Sequence, residues 1–134
     1  MADRLTLEIP ADAAYMATAR LFAAAVARHF AVDEDLIPDV KLAVSEACAA
    51  GILLGEESSV RIAAVADGPR VRFEVSQPAA PEAAAVREPS ATPDPHQTAE
   101  LGLEVIRALF QDAHVTHEPE GGKMIRFAAP AGAS

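Results

Sequence analysis

From Arg4 to Ile9 apolar and polar side chains alternate, with Leu5, Leu7 and Ile9 on one side. That period of two predicts a half-buried strand, closed by Pro10, which has no N–H for a ladder. Asp12 then stands at a capping position. From Ala13 to Phe30 the period becomes helical, with Tyr15, Phe22, Val26 and Phe30 on one stripe and helix-favouring alanines between them. A second helix is predicted from Asp33, with Pro38 tolerated in its early turns. Leu36, Val40, Ala43, Val44, Ala47 and Leu54 form its buried side, and Gly55 with the polar cluster at 56–59 ends it.

Two strands follow, at 60–65 and 70–75, joined by Asp67-Gly68-Pro69. So short a turn predicts an antiparallel hairpin. The stretch from Gln77 to His96 differs in kind. Pro78, Pro81, Pro89, Pro93 and Pro95 lie among Ala, Ser and Thr, a composition that continues neither strand nor helix. A flexible, lid-like loop is expected over 78–96. Thr98 is expected to cap a third helix. Its stripe is Leu101, Val105, Ala108 and Leu109, widened by Leu103, Ile106 and Phe110, and it ends near Asp112. A strand at 114–117, a turn at 119–122 and a strand at 123–128 complete the pattern, with a frayed tail at 130–134.

This order predicts one α+β domain over residues 1–134. It is a two-layer sandwich, with a mixed or antiparallel sheet carrying three helices on one face. The other face of the sheet is left for water, a partner or a second copy.

Composition narrows the function. A length of 134 residues suits a single domain, and a hydrophobic fraction of 51% argues against disorder. Alanine supplies much of that fraction, so the core is built from small residues. The formal charge of −9 disfavours binding to DNA or RNA and suits a basic protein partner. Cys48 is the only cysteine, which excludes an internal disulfide and reads as a small buried residue. No apolar run has the length of a membrane span, and the N-terminus lacks the layout of a signal peptide. A cytoplasmic protein is expected. His114 and His117 fall on opposite faces of one strand, so they do not share a metal. No Ser/His/Asp set has a recognisable spacing.

Three local patterns, in this order, carry a resemblance. The first is Leu42-Ala43-Val44-Ser45-Glu46-Ala47-Cys48-Ala49-Ala50 on the second helix. The second is Val75-Ser76-Gln77-Pro78 at the end of the hairpin. The third is Gly102-Leu103-Glu104-Val105-Ile106-Arg107-Ala108-Leu109 after the long loop. Over about residues 5–128 the chain resembles the anti-sigma-factor serine/threonine kinases of the GHKL, or histidine-kinase-like ATPase, superfamily.

The resemblance implies roles for particular positions. In that family a helix glutamate is the general base toward a substrate serine, and an asparagine four positions on binds Mg²⁺; here the pair is Glu46 and Ala50. An aspartate at the hairpin end accepts from adenine; Gln77 is the nearest match, and Pro78-Ala79-Ala80-Pro81 replaces the glycines that follow. A glycine-rich loop opens the third helix; Gly102 and Leu103 match, with Glu100 where a glycine belongs. Read without the family, Glu46 is a solvated helix carboxylate, Gln77 a polar residue ending a strand, and Glu100 an acid favoured by the helix dipole.

The resemblance further implies a sigma factor and a STAS-domain antagonist as partners, homodimerisation, and ATP with magnesium as cofactors. With Mg²⁺ and adenine ligands replaced, the leading expectation is an anti-sigma-type binding protein with a degenerate nucleotide site. The alternatives are a working serine kinase using Glu46 and a non-catalytic scaffold.

Overall fold

The computed structural model describes residues 3–52, 59–77, 95–117 and 122–132. Strand β1 (Arg4–Pro10) leads through one 3₁₀ turn (Ala13–Tyr15) into helix α1 (Met16–His29). Asp12 starts that turn as expected, its carboxylate accepting from the Ala14 N–H at 2.9 Å. A second 3₁₀ turn (Glu34–Leu36), capped by Asp33, opens helix α2 (Ile37–Ile52). Strands β2 (Ser59–Asp67) and β3 (Arg70–Gln77) form the hairpin. Helix α3 (Pro95–Leu109) and strands β4 (His114–His117) and β5 (Lys123–Pro130) follow.

The five strands make one sheet in the order β1-β2-β3-β5-β4, antiparallel at every pairing. Among the described residues the sheet is therefore antiparallel rather than mixed, with the three described helices on one face. Gly68 holds φ at 60° in the hairpin turn. The ring of Pro69 fixes its own φ near −65°, so of the two primed turns that match strand twist only type II′ fits Gly-Pro.

Inward-facing Ile62, Val71, Phe73, Val75, Ile125 and Phe127 meet the helices and are buried. Phe127 stacks between Phe73 and Phe110, with ring centroids 5.2 and 4.7 Å away. On α1 and α2 many of the buried positions are small, Ala19, Ala23, Ala27, Ala43 and Ala47, beside Val26, Ile37, Val40 and Val44. Alanine lets the two helices approach closely, as the composition implied.

Several boundaries differ from the sequence reading. Helix α3 begins at Pro95, three residues before Thr98. Proline fits a first helical position, where its missing N–H would have no helical partner. Residues 78–94 of the expected loop, Leu54 and Gly55 lie outside the described residues. Tyr15 is 40% exposed because it belongs to the 3₁₀ turn, out of phase with the α1 stripe. On α3 the buried line is Gly102, Ile106 and Phe110, with Leu103 and Leu109 beside it, while Val105 and Ala108 face out. Two overlapping apolar stripes were available there, and the stacked phenylalanines selected one.

Both ends of the sheet also run further than expected, with β3 reaching Gln77 and β5 reaching Pro130. The tail is tied down as far as Gly132. The Ala131 N–H donates to the Pro69 carbonyl at 2.9 Å, and the Gly132 N–H to that of Phe30 at 3.0 Å. Among the described residues no helix is long and apolar enough to cross a membrane.

Candidate functional site

Helix α2 crosses the helix-bearing face of the sheet over β2 and β3, and α3 packs along it. Glu46 lies at that crossing. The position a Cβ would take on Gly102 is 3.5 Å from the Glu46 carbonyl oxygen and 3.8 Å from its carboxylate Oε2. Two patterns far apart in sequence thus meet in space. The α3 backbone at Gly102 lies directly against Glu46. These are ordinary contact distances, so the packing would tolerate an alanine there.

Ser45, Leu42 and Ala50 stand near Glu46 on α2. The Ser45 hydroxyl accepts from Arg20 Nη1 of α1 at 3.4 Å. Leu42, one turn earlier, is 43% exposed. Ala50 lies one turn later on the same helix. Leu103 packs at the margin of the core, next to the buried cluster that contains Ile106 and Phe110. Glu46 itself is half-buried at the surface of the helix layer.

The other matched positions are placed less centrally. Gln77 is the last residue of β3, in register with Lys123 of β5, and its side chain lies outside the described residues. Because α3 starts at Pro95, Gly102 sits inside the helix, and its N–H belongs to the helical ladder rather than to a free N-terminus. Glu100 is likewise past the first turn, where the helix dipole has faded. His114 and His117 fall on opposite sides of β4, and His114 Nδ1 lies 2.9 Å from the Asp112 carbonyl. Among the described residues no group of three or more His, Cys, Asp or Glu is placed to hold a metal ion.

The face of the sheet away from the helices holds a feature the sequence reading missed. Glu74 of β3 is 3% exposed there. Its carboxylate takes Arg4 Nη2 at 3.1 Å, Arg72 Nε at 2.9 Å and Arg126 Nε at 3.2 Å, from three different strands. Arg72 also approaches Asp67 at 3.6 Å. The signal was present in the polar half of each alternation, where Arg4, Arg72, Glu74 and Arg126 share one parity once the strands are in register.

Comparison with known proteins agrees with this architecture. Residues 9–128 match the histidine kinase-like ATPase domain family. None of the curated proteins compared with the chain matches it. Among solved structures, the RsbU and RsbW domains of Rv1364c from Mycobacterium tuberculosis superpose with a TM-score of 0.69 at 18% identity. The match covers 96% of this chain and 32% of that one, so the chain spans about a third of the length of the structure it resembles. With the family match covering nearly the whole sheet and all three helices, this chain belongs to the histidine kinase-like ATPase domain family.

Proposed function

We infer that this protein is an anti-sigma-type regulator: it captures a sigma factor, is countered by a STAS-domain antagonist, and carries a degenerate nucleotide site. One contrast carries this reading. The described residues keep the sheet and its helices, yet the positions that should supply ligands do not. Ala50, one turn beyond Glu46, has no oxygen to offer Mg²⁺, a cation that demands oxygen ligands. Gln77 stands for the adenine-binding aspartate with prolines after it, and the Gly102 N–H is committed to a helix. Phosphoryl transfer relies on positioning and charge stabilisation by metal and backbone donors. Capture of a protein needs only a stable surface. Likeness to a chain bearing an RsbW domain supports a regulatory role. A homodimer, as in the resembled kinases, belongs to the same reading.

A working serine kinase is favoured by one observation, the placement of Glu46 against Gly102. The two readings separate by titration calorimetry with MgATP and by mixing with sigma factors of the source organism. The regulator reading expects a stable sigma complex by size exclusion and no heat from MgATP up to millimolar concentration. Micromolar MgATP binding, with phosphate transfer to a STAS protein that Glu46→Ala abolishes, would establish the kinase. Failure to hold any sigma factor would remove the regulator.

A further inference from the structure

The open face of the sheet is arginine-rich in a chain whose formal charge is −9. Register places Arg4, Arg61, Arg70, Arg72 and Arg126 on it, against Glu8, Asp67 and Glu74. These are five of the eleven Lys and Arg residues in the sequence. Three guanidiniums share the Glu74 carboxylate and Arg72 also approaches Asp67, so with Asp112 beside Arg70 the five arginines exceed their four carboxylates by one charge, left at the centre of the face. Each guanidinium has five N–H donors, and its bonds to Glu74 use few of them. Arg61 and Arg70 have side chains 56% and 54% exposed, and their ion pairs, to Glu8 at 3.4 Å and to Asp112 at 3.9 Å, are long.

The geometry points to this face as a docking surface for an acidic protein segment, gripped by Arg61, Arg70 and the arginines around Glu74. Its extent decides the class of occupant. Arg61 is in register with Ser76, six residues along β3 from Arg70, a separation of about 20 Å. A small anion reaches only one part of such an array, whereas a segment with several carboxylates spans it. A second copy presenting the same face would set arginine against arginine, which like-charge repulsion opposes. A duplex carries a charge about every 1.7 Å along its axis, and the acidic remainder of this chain repels it.

Fluorescence anisotropy with a labelled decaglutamate peptide tests the assignment on the full chain. The unmodified protein is expected to bind, more weakly as salt rises from about 50 to about 200 mM. Arg61→Ala/Arg70→Ala is expected to weaken binding about tenfold. Both side chains are exposed, so the melting temperature should barely move. Arg61→Lys/Arg70→Lys should retain most of the binding, and Arg20→Ala/Arg28→Ala, on α1, should leave it unchanged. No peptide binding at millimolar concentration, or an equal loss in the α1 variant, overturns the proposal. So does tighter binding of a DNA duplex, or a dimer that the Arg61/Arg70 variant dissociates.

Discussion

Ala31 holds φ at 61°, in the left-handed region where a Cβ is strained. It does so because α1 ends in a Schellman motif. The Val32 N–H donates to the Ala27 carbonyl at 2.9 Å and the Ala31 N–H to that of Arg28 at 3.0 Å. Buried Val32 packs the chain back onto the core and enforces the turn. Ala31→Gly is therefore expected to stabilise the protein by about 0.5–1 kcal/mol in thermal melts. Cys48 shows the opposite relation between sequence and environment, because its buried place was legible from residue type alone. Burial pushes its thiol up from 9.0 to about 12. Thiol reagents at pH 8 should leave it unmodified until the chain unfolds. Between pH 9 and 12 the unfolded chain gives up this proton while the folded chain keeps it. This one group then costs stability with rising pH, by up to about 1.4 kcal/mol per unit. Cys48→Ala should flatten that part of the stability–pH curve.

At the scale of elements, α1 and α2 show why an alanine-rich sequence can still fold into a defined core. Ala19, Ala23 and Ala27 recur every fourth residue, a spacing that puts them on one face. All three are fully buried, so the inner face of α1 leaves little room for longer side chains. Ala23→Leu should cost about 1–3 kcal/mol through overpacking, as a lowered denaturation midpoint with an unchanged slope. These helices and the strands could be placed from local pattern, although burial departs from it at Tyr15 and on β2, where Ala63 and Val65 are buried on the outward side. Helix α3 could be read only in part. Its start at Pro95 was masked by proline's usual role as a breaker, and its inward face was set by Phe110 packing on Phe127, a contact that no local pattern contains. The candidate site divided in the same way. Glu46 and Gly102 stood out as family matches, but their meeting depends on how α3 lies along α2. The Glu74 cluster escaped notice because its four members gain meaning only from the register of four strands, β1, β2, β3 and β5.

The whole molecule has one side closed by helices and one side finished by charge. On the open face Ala63 and Val65 are buried although they face away from the helices, and Arg4 and Arg72 flank Val65 in register on both neighbouring strands. Glu74→Ala would leave three guanidiniums without their shared anion. Their side chains are 35–50% exposed and can take up water, so the expected loss is about 1–3 kcal/mol rather than that of a fully buried pair. Glu74→Gln should lose less. The cluster also bears on the time course of folding. Its members come from β1 near the start of the sequence, β3 in the middle and β5 near the end, and contacts between such distant segments close late because they require the largest loops. The hairpin of β2 and β3 closes over a two-residue turn and has no such delay. Arg4→Ala should then leave the refolding rate nearly unchanged in stopped-flow experiments and raise the unfolding rate. The clasp would act as a latch, setting how long the native state lasts rather than how quickly it is reached.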